Sequence, residues 1–321
     1  MAKPVPCGSL CKAATMSRFC RLLIGTSVWA LTPLAVQAGV EVHYVDPSGQ
    51  YANQYGDIQR VATAAAQDWM SHFLLPASVS TAPTISVQIN FAPIATAAGR
   101  STVASQVGVT AAGLRLFEQG AAYELSTGID PNGDAFDVEI TLGNNGYLQH
   151  ELWFDPNPLQ RLDAVPQDRT DAYSVFLHEF GHAFGFNGWR DGLTGALPGD
   201  YLSTFDALVD DLQQPGGYLY FGGLHAVGLY GAPVPLTQGL YGHLGNWGPL
   251  AGAGLQADLM NGLSFVRGSR YKISALNLAV MRDLGLGITP GAAPSAVSEP
   301  GSLMLALLAL AMLFTVHHWA D

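Results

Sequence analysis

The chain has 321 residues, of which 49% are apolar and only 12% charged, with 37 glycines and 19 prolines. That is enough apolar material for a sizeable core in one large or two small domains, with much loop and few ion pairs. The formal net charge is −11. Lys3, Lys12, Arg18 and Arg21 all fall in the first 38 residues, which contain no acid, so the remainder is more acidic still. Such a surface repels phosphate backbones and argues against nucleic-acid binding.

Residues 1–38 have the pattern of a secretory signal peptide. Arg18 and Arg21 form a basic start, Leu22 through Leu34 is a mostly apolar run too short for an ordinary membrane span, and Val36-Gln37-Ala38 offers the small residues of a cleavage site. Met16 could be the initiator. The competing reading is a buried N-terminal helix. All three cysteines (Cys7, Cys11, Cys20) lie in this segment, so the exported chain would have no disulfide and no thiol nucleophile.

Residues 39–288 are expected to form one unit. Val40–Val45 alternates as a strand. Tyr55 to Phe73 has helical periodicity with Ile58, Val61, Ala62, Ala65, Trp69 and Phe73 on one face. Thr84–Phe91 alternates strictly, Asp137–Leu142 is a further strand, and Glu151–Phe154 could be a short edge strand. Asp130, Asp134 and Asp137 could bind calcium, although Asp-Pro-Asn-Gly-Asp is also a common solvated turn. The second half is glycine-rich with few strand signals. The fold class expected is α+β, with a twisted-sheet lobe, a central helix and a loop-rich lobe around a cleft.

The most informative stretch is His178-Glu179-Phe180-Gly181-His182, inside an expected helix from Asp171 to Phe186 with Thr170 as N-cap and Gly185 as its C-terminal break. Residues four apart share a helix face. His178 and His182 can therefore present two imidazoles to one ion, while Glu179, offset beside them, can hold a water. That is the HExxH arrangement of a zinc hydrolase, with Glu179 as general base. Phe176, Phe180, Ala183 and Phe184 form an apolar stripe next to the histidines, as a helix flanking a cleft needs. The bland alternative is two half-buried histidines and a solvated glutamate.

Zinc requires a third protein ligand. No glutamate occurs between Glu179 and Glu299, and position 188 is a glycine. Asp191, Asp206, His225 and His243 remain as candidates. His243 stands in Tyr241-Gly242-His243-Leu244-Gly245 and is followed by Asp258-Leu259-Met260-Asn261-Gly262 and a capped segment, Ile273 to Leu286, that ends near a glycine. Together with HExxHxxG, this arrangement resembles the leishmanolysin-like bacterial branch of the metzincin zinc proteases. In that group the third histidine follows a long insertion and a methionine turn underlies the metal. The resemblance implies Zn²⁺ on His178, His182 and His243, Met260 in the Met-turn, a two-lobed metzincin-like domain and a protein or peptide substrate. Gly262 occupies the position where some metzincins carry a tyrosine hydroxyl.

Residues 289–297 are a linker by composition. Residues 298–321, with Ser298-Glu299-Pro300 and an apolar run from Leu303 to Val316, resemble the PEP-CTERM sorting signal of Gram-negative bacteria. Ser298 replaces the first proline and His317-His318 replaces the basic end. This likeness implies a cell-envelope or secreted location, a C-terminal membrane helix before sorting and an exosortase-type processing enzyme as partner. A plain C-terminal anchor is the simpler alternative. The activity expected is that of a secreted zinc-dependent endopeptidase. The alternative is an envelope or matrix structural or binding protein on a degenerate metalloprotease fold.

Overall fold

The first strand, β1 (Gly39–Val45), lies parallel to β2 (Thr84–Ala92) with Val40 opposite Ile85 and Val42 opposite Val87. A computed structural model describes residues 38–77, 79, 82–210, 218–245 and 254–290, all of which belong to one unit, Val36–Asp321. The expected signal peptide, most of the linker and the C-terminal tail lie outside the described residues. Among those described, no helix is long and apolar enough to cross a membrane.

Parallel strands need a crossover connection, and α1 (Tyr55–Ser71) supplies it. Its inward face is the one the periodicity predicted: Ile58, Val61, Ala62, Ala65 and Trp69 are fully buried. β3 (Ala97–Ser101), β4 (Ala104–Val109), β5 (Arg115–Gln119) and α2 (Gly120–Thr127) follow, and then β6 (Val138–Gly143). The main sheet has the order β1-β2-β6-β3. β6 runs parallel to β2, and β3 is an antiparallel edge strand. Ile85, Val87, Ile89, Val138, Ile140 and Leu142 are the buried side of the alternation.

β7 (Leu152–Trp153) and β8 (Thr170–Asp171) form a short parallel pair. The expected strand at 151–154 is thus real but only two residues long. α3 (Ala172–Phe184) begins one residue later than expected. The N-cap is Asp171 rather than Thr170: its Oδ2 accepts from Ser174 N at 3.2 Å and from Ser174 Oγ at 2.6 Å, while Thr170 is occupied in β8. A carboxylate at the N-cap satisfies free N–H groups and complements the helix dipole. Gly185 ends the helix as expected. A Cβ there would meet Leu284 Cδ1 at 2.6 Å.

α3 packs against α1 and under β3. Phe176, Phe180, Ala183 and Phe184 have no exposed surface, and burying each phenyl ring contributes about 1.5–3 kcal/mol. Trp69 Nε1 donates to the carbonyl of Leu177 at 2.7 Å, which pins α1 to α3 next to His178.

The second half contains more strand than its composition announces. β9 (Tyr201–Ser203) joins β5 and β4 in a small sheet. β10 (Val209–Asp210), β11 (Tyr220–Phe221), β12 (Val234–Thr237) and β13 (Leu240–Leu244) form another, with α4 (Leu224–Tyr230) between β11 and β12. Strands of two to five residues are too short to show an alternating pattern. The last helix, α5 (Ala275–Asp283), packs on α4. Its N-cap Ser274 forms a reciprocal capping box with Asn277. The architecture is mixed α+β.

Candidate metal centre

His178 and His182 leave α3 one turn apart, and β13 brings His243 to them. The three Nε2 atoms form a nearly equilateral triangle: 3.0 Å between His178 and His182, 3.2 Å between His178 and His243, and 3.0 Å between His182 and His243. Nitrogens held about 2.0–2.1 Å from a tetrahedral ion lie about 3.3–3.4 Å apart, close to this spacing.

The other nitrogen of each ring fixes its tautomer. His178 Nδ1 donates to Leu259 O at 2.7 Å, His182 Nδ1 to Phe186 O, and His243 Nδ1 to Leu240 O at 3.2 Å. With a proton on every Nδ1, each neutral ring turns an unprotonated Nε2 lone pair toward the same point. Three converging lone pairs repel unless a cation lies among them. Carbonyls that accept from the far ring nitrogen in this way are what orient ligating histidines. Burial holds all three imidazoles below their usual pKa, His178 at about 3, and the neighbouring rings add to the effect for His178 and His243. Protons therefore compete weakly for the site. The triad can hold a metal ion.

One turn of chain braces two of the three imidazoles. Met260 is fully buried, and a Cβ on Gly181 would meet its sulfur at 2.5 Å, so the turn carrying it sits directly against the motif helix. Leu259 O receives His178, and Met260 O receives the amide of Leu244, the residue after His243, at 2.7 Å. The turn is held in its own right by Asp258. Its Oδ1 accepts from Met260 N at 2.9 Å and Asn277 Nδ2 at 2.7 Å, and its Oδ2 accepts from Ser274 Oγ at 2.7 Å.

Neither known protein families, nor curated proteins, nor solved structures include a match to this chain. What the site can do is therefore argued from its own geometry.

The triad opens on a cleft of about 1120 Å³, which Glu179 also lines. Glu179 is 5% exposed, and burial pushes its carboxyl up to about 8, opposed by a hydrogen bond from the Gly99 amide. A cation on the imidazoles would favour the ionised form. Gly99 is required here: a Cβ would lie 2.5 Å from the Glu179 carbonyl oxygen and 2.6 Å from its Cβ. The edge strand can approach the helix only without a side chain at that position.

The remaining candidate ligands are used elsewhere. His225 Nδ1 is 2.7 Å from Asp283 Oδ1 in the first turn of α4. Asp191 accepts from Leu193 N, Thr194 N and Thr194 Oγ1 within its own loop. Asp206 is buried and accepts from Trp189 N and from Ser203 N and Oγ. At Gly188, a Cβ would come within 2.9 Å of Asp206 Oδ1, so that position has no room for a ligand side chain. Gly262 is similarly closed off, by Thr237 Oγ1 at 2.5 Å from a built Cβ.

Sequence reasoning missed Tyr147, which follows β6 and lines the cleft. Burial, then the charges of Glu179 and Glu151, hold its phenol well above the usual range. It is therefore a neutral hydrogen-bond donor beside Glu179. Arg267 was also missed. It makes a two-pronged contact with Glu151, Nε to Oε2 at 2.9 Å and Nη2 to Oε1 at 2.6 Å. No local sequence pattern signals either residue: Tyr147 opens a single π-helical turn, Tyr147–Glu151, and Arg267 lies in a loop.

Proposed function

We propose that the chain is a secreted zinc-dependent endopeptidase of two-lobed, metzincin-like form, acting on protein or peptide substrates. The observation that carries this reading is the set of three proton-free Nε2 atoms 3.0–3.2 Å apart with Glu179 beside them on an open cleft. Three neutral imidazoles with room for a further ligand are the donor set of catalytic zinc, whereas structural zinc sites are closed by four protein ligands. Zinc bound there supplies Lewis acidity that makes water acidic near neutral pH and polarises a carbonyl.

The chain's own groups do the rest. Glu179 takes a proton from the attacking water and passes it to the departing amine. Leu259 O, Phe186 O and Leu240 O keep the three imidazoles in the ligating tautomer. The neutral Tyr147 hydroxyl is available to donate to a substrate oxygen in the cleft, a role open because Gly262 offers no side chain.

The test combines metal analysis of the purified protein with casein digestion, with and without chelator, for wild type and Glu179→Gln. The expected result is one zinc per chain in both proteins, chelator-sensitive cleavage by wild type, and a loss of about 10²–10⁴-fold in the variant. Metal-free protein that does not take up zinc, or full activity in a metal-loaded variant, refutes the proposal. Bound zinc with no cleavage of any peptide would favour a structural role in the envelope.

A further inference from the structure

Three carboxylates meet at a point away from the triad. Glu124 comes from α2, Asp130 from the loop after Gly128, and Asp137 immediately precedes β6. One oxygen from each lies within 4.8 Å of those of the other two. Glu124 and Asp137 are each only 5% exposed. Among the described residues, no arginine or histidine forms an ion pair with any of the three. Asp134, which the sequence grouped with Asp130 and Asp137, is not part of the cluster; Glu124 takes its place.

Two of the carboxylates are fixed in position. Asp137 Oδ2 accepts from Ser86 N at 2.7 Å and Ser86 Oγ at 2.8 Å. Asp130 Oδ1 accepts from Asn132 N at 2.9 Å and Gly133 N at 2.8 Å. Glu124 differs: its Oε2 is buried and has no hydrogen-bond partner. A buried carboxylate oxygen without a donor is strongly unfavourable, and here two further carboxylates face it. Burial, then the charges of Asp137 and Asp130, and last a side-chain hydrogen bond shared with Asp137 raise Glu124 to about 8, so without a cation the pair holds together only by keeping a proton. The fold has assembled acidic oxygens around a point that needs positive charge.

We propose that Glu124, Asp130 and Asp137 form a calcium site that ties α2 and the 128–137 loop to the main sheet. An all-oxygen donor set selects a hard cation. Calcium–oxygen distances of about 2.3–2.6 Å place ligand oxygens up to about 5 Å apart across the ion, a span that contains the observed triangle. One ligand stands exposed on an irregular turn. Calcium accepts such uneven, partly hydrated coordination, whereas magnesium requires a near-ideal octahedron. The site does not depend on the histidine chemistry but reaches toward it. α2 packs on α3, and Gln119, just ahead of α2, accepts from Asn187 Nδ2 at 3.2 Å beside the cleft.

The test uses the full chain, stripped with chelator and reloaded with one equivalent of zinc, then titrated with calcium or magnesium chloride while heat and Tm are recorded. Wild type should take up one calcium per chain with a Kd of about 10⁻⁵–10⁻⁴ M. Its Tm should rise by about 5 °C at millimolar calcium, with little response to magnesium. Glu124→Gln should melt above wild type without calcium, because the amide has neither a proton to take up nor a charge to hold there, and lose the calcium-dependent rise. Asp130→Asn alters an exposed residue whose loss does not threaten folding, and should weaken binding about tenfold. No calcium-dependent heat or Tm shift in wild type overturns the proposal, as does a full-sized shift in both variants or a preference for magnesium. Zinc content, followed in parallel, keeps the result separate from the fate of the endopeptidase reading.

Discussion

His178 Nδ1 donates to the carbonyl of Leu259 across 2.7 Å, so an imidazole on a helix is aimed by a turn 81 residues further along the chain. Asp258 holds that turn through Met260 N, Asn277 Nδ2 and Ser274 Oγ. Asp258→Ala should therefore loosen the orientation of His178 without touching the metal. Outer-shell changes of this kind cost about 10–100-fold in metal affinity. Competition against a chelator of known affinity measures it; an unchanged affinity would show that the turn does not position the ligand.

The approach of Gly99 to Glu179 predicts a defect of a different kind. Gly99→Ala puts a methyl group 2.5 Å from a backbone oxygen in the middle of α3, where neither partner can swing aside. Overpacking of this sort costs about 1–3 kcal/mol, and displacing β3 also removes the amide that donates to Glu179. The variant should melt lower and, if the proposed activity holds, lose turnover out of proportion to its folded fraction. A normal Tm would mean that the edge strand gives way easily.

Metal stoichiometry distinguishes among the histidines. His243→Ala should abolish retention of one ion per chain after dialysis, while His225→Ala should leave it intact and lower stability modestly, through loss of the contact to Asp283. Equal metal content in both variants would refute the triad.

Glu118 gives a pH signature. Burial raises its carboxyl from 4.5 to about 7, with a hydrogen bond from Ser126 opposing. The native state then binds more protons than the unfolded chain between those two values, so this group makes stability fall as pH rises through that window. Glu118→Gln should match wild type below pH 4.5 and melt about 3–5 °C higher at pH 8, a modest figure because the group is partly solvated. Parallel Tm–pH curves for the two proteins would rule out the shift.

Much of the first half could be read from local pattern. The buried face of α1 and the alternation of β1, β2 and β6 appear in the sequence because a helix repeats every 3.6 residues and a strand every two. β3 could not be read this way: Ala97-Ala98-Gly99-Arg100-Ser101 carries no alternation, and its small residues are explained only by the helix pressed against it. The N-cap was misplaced by one residue because Thr170 and Asp171 both suit the position and only strand pairing separates them. That Glu124, and not Asp134, stands with Asp130 and Asp137 is legible only in the fold, because Glu124 lies on a different element.

The sequence by itself determined the pairing of His178 with His182 and the place of Glu179 beside them, since a single helical turn sets that spacing. It also favoured His243 without closing the choice, because 61 residues of chain separate it from His182 and no local rule fixes where such a loop returns. Tertiary structure decided the rest. The short β12–β13 pairing delivers the third imidazole, and carbonyls from three separate segments turn every ring the same way. The bonds from His182 to Phe186 and from His243 to Leu240 are local, but the one from His178 to Leu259 spans 81 residues, and nothing in the order of neighbouring residues encodes it.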